Sequence, residues 1–273
     1  MKPSIDIYLD GRKVDTDRLS DLPSEDSVAV YESLRSYQGI VFRLREHLKR
    51  LDESRRTIGL ILPKSLQKLE KEVRECAATY RKGDKFLRLT VNSRHSYLFV
   101  TERNRPEHIY KVGVHLKTST VRRNHINAWT PAVKTNAFFN NVLAVLDGLG
   151  DARFDSIFLD AKGYLTEGTI WNIFIVKAGK IYTPAAGGIL NGVTRQYVIE
   201  CAEKEGISVV EMPLTRHDFW NSDEAFITNT SGEIVPVRSL DGRLIGAKIP
   251  GRMTLTLIKR FKQDINKKLK RKI

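Results

Sequence analysis

Hydrophobic and polar positions along this chain change period several times, and each change marks an element. Ile5, Ile7 and Leu9 alternate with polar residues up to Asp10-Gly11, which predicts a strand entering a hairpin. Ile40 to Leu44 reads as a strand. Leu44, Leu48 and Leu51 then fall on one helix face, and Leu66, Leu69, Val73, Ala77 and Tyr80 on another. Phe86 to Val91 returns to alternation, with Leu87, Leu89 and Val91 on one side and Phe86, Arg88 and Thr90 on the other. Ser96 to Val100 suits a pairing partner.

Thr101 to His108 is polar and contains Arg105-Pro106, a linker signal. The expected division is a small N-terminal domain over 1–105, a linker over 106–112 and a larger domain over 113–273. In the larger domain Lys111 to Leu116 reads as a strand and Ala137 to Leu146 as a helix. Hairpins are expected around Asp160 to Gly163 and Lys177 to Gly179. A helix from Thr194 to Glu205 stops at Gly206. Strands near Val209, Phe226 and Val235 follow, with a turn at Asp241-Gly242. The fold class is therefore α+β, in two unequal domains: a small α/β one and a larger β-rich one with helices.

Composition narrows the class of protein. The chain has 273 residues, 41% hydrophobic and 29% charged, which suits a packed core rather than a disordered chain. No apolar run approaches the roughly 20 residues of a membrane span. Met1 to Asp6 lacks an apolar signal segment, so a cytoplasmic location is expected. Two cysteines, Cys76 and Cys201, exclude a disulfide scaffold and a multi-cysteine zinc site, and six scattered histidines give a metal site no support.

Charge alone suggests a different class. The balance is 46 − 32 = +14, and Lys259 to Ile273 supplies eight basic residues against Asp264, or +7. A basic nucleic-acid-binding arm is one reading of that tail. The other is a solvated or fraying terminal helix, since Leu257, Phe261, Ile265 and Leu269 form one apolar stripe with basic flanks. The second is preferred, and with it nucleic acid is not an expected partner.

Chemistry enters through four segments, because no P-loop, G-x-G-x-x-G, H-E-x-x-H or G-x-S-x-G motif is present. They are His47-Leu48-Lys49-Arg50-Leu51, Lys134-Thr135-Asn136-Ala137, Leu165-Thr166-Glu167-Gly168-Thr169 running on to Asn172-Ile173-Phe174, and Leu190-Asn191-Gly192-Val193-Thr194-Arg195. With these the chain resembles the class IV, fold-type IV pyridoxal-phosphate aminotransferases. That family includes branched-chain aminotransferases, D-amino acid aminotransferases and aminodeoxychorismate lyases. The resemblance runs from the Asp10-Gly11 hairpin to Pro236-Val237.

The resemblance implies pyridoxal 5'-phosphate as cofactor and assigns it residues. Lys134 matches the lysine that condenses with the cofactor aldehyde and later moves the Cα proton. Glu167 matches the carboxylate on the pyridine nitrogen. Val193, Thr194 and Thr230 match the phosphate cup, whose chemistry suits a helix N-terminus opened by Gly192. Arg50, three residues after His47 on one helix face, is expected to grip the phosphate, the alternative being a surface ion pair with Glu46 or Asp52. His47 is expected to pack the helix. Leu190 matches an aliphatic residue under the ring. Tyr31, Arg88 and Ser231 are candidates for substrate binding. Position 139, a tyrosine in the branched-chain subgroup, is Phe139 here.

The implied activity is amino-group transfer between an amino acid, branched-chain L or D, and a 2-oxo acid in a ping-pong cycle. A lyase of the aminodeoxychorismate type is the alternative on the same scaffold. The family also implies an active site between the domains, completed in a homodimer.

Overall fold

The structure is a computed structural model and describes residues 5–15, 28–102, 105–150 and 153–270. The chain forms two compact units. The first comprises Met1–Asn104, Val133–Ala137 and Ile265–Ile273; the second comprises Arg105–Ala132 and Phe138–Asp264.

In the first unit, β1 (Ile5–Leu9) and β2 (Arg12–Val14) form the expected hairpin. Its turn needs left-handed backbone at both central residues, and Asp10 (φ 50°) and Gly11 (φ 86°) supply it. Then come β3 (Val30–Tyr37), β4 (Ile40–Val41), α1 (Leu44–Thr57), α2 (Leu66–Ala78), β5 (Asp84–Val91) and β6 (Ser96–Thr101). The strands make one antiparallel sheet in the order β2-β1-β6-β5-β3-β4. Leu87, Leu89 and Val91 pair with Leu34, Glu32 and Val30 on the face that packs with Leu44, Leu48, Leu51, Leu69 and Val73 of the helices. The strand expected over Ile40 to Leu44 stops at Val41, because Arg43 turns the chain (φ 51°) and Leu44 begins α1.

The second unit opens with α3 (His108–Val112) and β7 (Val114–Arg122), which corrects two expectations. Residues 106–112 are not a free linker: Ile109 is buried in the core and the Tyr110 hydroxyl donates to the Gly232 carbonyl at 3.2 Å. Lys111 and Val112 are helical, and Gly113 (φ 76°) ends the helix before the strand starts. The remaining elements are α4 (Phe139–Leu146), β8 (Asp155–Leu159), β9 (Leu165–Gly168), β10 (Asn172–Lys177), β11 (Lys180–Thr183), α5 (Val193–Lys204), β12 (Val209–Glu211), α6 (Arg216–Trp220), β13 (Glu224–Asn229), β14 (Glu233–Leu240), β15 (Arg243–Leu244) and α7 (Arg252–Lys270).

The strand pairings of this unit close on themselves. The path β10-β13-β14-β7-β8-β9 returns to β10 through one antiparallel pair, Glu167 with Asn172. Six strands thus form a ring, with β11 and β12 continuing outward from β10 and β15 from β14. Leu116, Ile157, Leu165, Ile173, Ile227 and Val235 belong to its buried core.

The boundary expected at 113 also differs. Val133–Ala137 belongs to the first unit because its backbone is bonded to β3 and the residue before it: the Tyr31 N–H donates to the Lys134 carbonyl at 3.1 Å and the Asn136 N–H to the Ala29 carbonyl at 3.0 Å. Such a partner is far away in sequence, so a linear boundary misses it.

The C-terminal helix is docked rather than fraying. Leu257, Phe261 and Ile265 are buried, as the four-residue stripe requires. Tyr197 meets the Phe261 ring edge-on at 5.1 Å and donates its hydroxyl to Asp264 at 2.6 Å, while Arg260 pairs with Glu205 at 2.9 Å. Among the described residues no helix is long and apolar enough to cross a membrane. Replacing the buried ring by Phe261→Ala should cost about 3–5 kcal/mol, read as a lower denaturant midpoint; a change below about 1 kcal/mol would mean that the stripe is not part of the core.

Candidate active site

The first unit carries Lys134 on a segment zipped to the start of β3. Val30 and Thr135 make an antiparallel bridge, the Ala29 N–H donates to the Asn136 side chain at 2.9 Å, and the Lys134 N–H donates to Ser54 Oγ of α1 at 3.0 Å. Backbone and side-chain bonds therefore fix the main chain on both sides of the lysine. Its side chain is half-buried, with Nζ 4.4 Å from the centre of the Tyr31 ring. Arg88 reaches the same ring, its guanidinium carbon at 4.2 Å. The sheet register explains this: Tyr31 pairs with Thr90 and Ser33 with Arg88, so Tyr31 and Arg88 are diagonal neighbours on the face away from the helices. Lys134, Tyr31 and Arg88 are thus brought together.

Arg50 lies on the other side of the strand. Its Nε and Nη2 fork onto Glu32, at 2.8 Å to Oε1 and 2.6 Å to Oε2, and His47 Nδ1 lies 2.7 Å from Oε2. The partner is neither Glu46 nor Asp52. Glu32 is fully buried. Burial pushes its carboxyl up, but the Arg50 guanidinium and His47 outweigh this and hold it below the usual carboxylate range. Burial lowers His47, so its ring is held neutral; the carboxylate only accepts, and Nδ1 carries the proton. Ser54 is one helical turn beyond Arg50, so the guanidinium and the lysine segment flank the same stretch of α1.

The second unit carries Glu167 at the closing pair of the ring. It is 5% exposed. The Leu190 N–H donates to Oε1 and Oε2 at 3.1 and 3.2 Å, Asn172 Nδ2 lies 3.4 Å from Oε2, and Arg123 Nη2 is 2.7 Å from Oε1. Asn172 also donates to the Leu190 carbonyl at 2.9 Å, so the backbone of Leu190 is clamped to the carboxylate. A methyl at Gly192 would collide with Asn172 Oδ1, so any larger residue would push the clamped Asn172 amide out of place.

Gly192 is the N-cap of α5 and brings no side-chain cap to it. The first N–H groups of this 12-residue helix, those of Val193 and Thr194, are left for an external acceptor. Arg195, the last residue of the motif, is a strut. It is fully buried and binds Glu211 at 2.6 Å and the Pro184 carbonyl at 2.9 Å. Thr230 and Ser231 lie in the turn after β13, where Asn229 Oδ1 accepts from Ser231 Oγ at 3.2 Å and Gly232 N at 2.7 Å. Within that strand the buried Thr228 hydroxyl finds no partner among the described residues.

The sequence pattern did not single out Glu32, Arg123, Asn141 or Asp155. Glu32 left no readable signal, since it occupies a buried position of β3 where alternation calls for an apolar residue. Asp155 is buried beneath the Glu167 turn and accepts from Thr169 N at 3.0 Å and Thr169 Oγ1 at 2.5 Å. Desolvation raises it to about 6 against the pull of those bonds.

Comparison with known proteins decides the family. Residues 29–240 match the amino-transferase class IV family. This chain belongs to the class IV aminotransferases. The aminotransferase is 38% identical over 252 residues to a Methanocaldococcus jannaschii protein named "Putative branched-chain-amino-acid aminotransferase", covering 88% of this chain and 87% of that one. It is 32% identical over 245 residues to the D-alanine aminotransferase of Bacillus licheniformis, covering 82% and 83%. Among solved structures, a branched-chain amino acid aminotransferase of T.th. with pyridoxamine 5'-phosphate superposes with a TM-score of 0.87 at 25% identity, covering 97% of this chain and 95% of that one.

The residues of the aminotransferase fit a pyridoxal cofactor. The uncapped N-terminus of α5 suits a phosphate, the buried Glu167 suits a ring N–H, and Lys134 is a half-buried amine with no carboxylate partner among the described residues. Because the folded pKa of Asp155 is raised from 3.8 to about 6, the native state binds more protons across that interval, and stability falls as pH rises through it. That limb amounts to about 3 kcal/mol. Asp155→Asn should therefore lose less stability than the parent between about pH 4.5 and pH 7.5, measured as denaturant midpoints; equal losses would remove Asp155 as the group responsible.

Proposed function

We propose that this aminotransferase uses pyridoxal 5'-phosphate to pass the amino group of a branched-chain amino acid to a 2-oxo acid such as 2-oxoglutarate, in two half-reactions. The observation that carries the cofactor half of this reading is Glu167, a carboxylate sealed at the ring closure and aimed by Leu190 N–H, Asn172 and Arg123. The branched-chain half draws on the relatives named above and on Arg88, a cation held against Tyr31 whose charge suits a substrate carboxylate.

When bound, the cofactor supplies a carbonyl for the donor amine and a protonated ring that accepts the electron pair left at Cα. The chain does the rest. Lys134 Nζ takes the Cα proton and returns it, and its rigid backbone keeps that short path in place. Glu167 holds the proton on the ring nitrogen. Val193 and Thr194 N–H, with the Thr194 and Thr230 hydroxyls, take the phosphate at the positive end of α5. Arg50, the plane of its guanidinium already set by Glu32, is the further phosphate ligand that the family resemblance implies. Leu190 packs against the ring, and Arg88, Tyr31 and Ser231 receive the substrate. An elimination to pyruvate, the lyase alternative, draws no support from the relatives named.

A donor screen with matched L- and D-amino acids, following the visible band of the reconstituted protein, tests this. L-leucine, L-isoleucine and L-valine should bleach it and Lys134→Ala should not respond. A response to D-alanine alone would replace the branched-chain reading, and pyruvate release without an amine acceptor would replace aminotransfer.

The assembly belongs to the same proposal. The second unit exposes Phe139 (70%), Leu146 (53%), Leu149 (73%), Ile126 (55%) and Ile170 (55%), and only Ala144 of α4 is buried. Apolar exposure of this extent marks a contact surface, and a second copy is the proposed occupant. The free, buried cysteines suit the cytoplasmic location proposed with it. Light scattering should give about 62 kDa, twice 31.2 kDa, and Leu146→Glu should give the monomer mass; a monomeric parent would overturn the dimer.

A further inference from the structure

Arg123 lies one residue beyond β7 and belongs to no motif. Its backbone N–H donates to the Leu159 carbonyl at 2.9 Å, which fixes where the side chain starts. The guanidinium then bridges two groups: Nη2 to Glu167 Oε1 at 2.7 Å and Nη1 to Asn141 Oδ1 at 3.0 Å. Its Cζ lies over the Phe158 ring, 5.4 Å from the ring centre. The side chains of Arg123 and Glu167 are 10% and 6% exposed. Asn141 is tied in turn, donating to the Thr169 carbonyl at 2.5 Å, and Thr169 is the residue that Asp155 holds. A closed circuit therefore runs from Arg123 through Asn141 and the Thr169 turn back to Glu167, all within the second unit.

We propose that Arg123 is a positioning residue that divides the charge of Glu167, so that this carboxylate holds the proton on the cofactor's ring nitrogen less tightly than a lone buried carboxylate would. The inference rests on the reading of Glu167 given above. A guanidinium stays charged at every working pH. At 2.7 Å in a dry site it offsets much of the negative potential that a neighbouring N–H would otherwise feel. Its contact with Oε1 is shorter than those that Leu190 N–H and Asn172 make with Oε2. The charged groups in this circuit are Arg123, Glu167 and, across the Thr169 turn, Asp155.

A carboxylate with no cation beside it would favour a permanently protonated ring. Sharing it with Arg123 brings the ring nitrogen nearer to giving up its proton, which tempers the electron sink. Uncontrolled loss of the electron pair to side reactions is the hazard of a sink that is too strong.

The test is the pH titration of the ring-nitrogen ¹⁵N signal in protein reconstituted with cofactor labelled at that atom. Arg123→Gln should move the titration upward by about one pH unit or more. Arg123→Lys, which keeps the charge, should stay close to the parent. Asn141→Asp places a competing carboxylate against Nη1 and should move it upward as well, which keeps the test open if Arg123→Gln fails to fold. Glu167→Gln must move the titration downward. An unmoved titration in Glu167→Gln would sink the reading of Glu167 itself. A downward shift in Glu167→Gln with no upward shift in the Arg123→Gln or Asn141→Asp protein would overturn the role of Arg123 alone.

Discussion

The second unit depends on a single pair of residues. Strands β9 and β10 meet where Glu167 faces Asn172, and that meeting turns a nine-stranded sheet into a closed ring with extensions. A carboxylate buried at such a seam needs partners, because an unpaired buried charge costs several kcal/mol. Its partners come from three directions: the Leu190 N–H from the loop before α5, Asn172 from the facing strand, and Arg123 from the end of β7. Satisfying the charge thus also fixes the loop and the helix start that follow it. Fold closure and the fixing of this buried carboxylate are one event.

The first unit meets the same electrostatic demand with a different outcome. Glu32 occupies a core position on β3 and is stabilised by Arg50 and His47 from α1. Its strand neighbour Tyr31 points the other way, to Lys134 and Arg88. Because side chains alternate along a strand, the buried ion cluster and the cation-lined ring are rigidly related through one peptide bond. The lysine inherits that rigidity through its backbone bonds to the same strand.

Much of this was legible in the residues. Local periodicity located both α1 and α2, the Asp10-Gly11 hairpin and the Leu87/Leu89/Val91 core face, since each depends on near neighbours. The class IV motifs pointed to Lys134, Glu167 and the α5 terminus, whose roles belong to the proposed function. Strand β3 was not legible, because Glu32 and Ser36 stand at core positions where alternation calls for apolar residues; the partners of Glu32 on α1 are distant in sequence. Helix α3 hid in a polar stretch for the opposite reason, as its single buried anchor, Ile109, leaves no period to read. Arg123 and Asp155 carry no motif, and only the folded ring reveals what they touch.

The buried strut Arg195 bears on how such chains are recognised. In the motif L-x-G-[VI]-T-R the final arginine braces the Pro184 loop and Glu211 and reaches no reacting atom in this unit. Natural selection can therefore retain that signature wherever the barrel must stay folded, including in a descendant that has abandoned turnover.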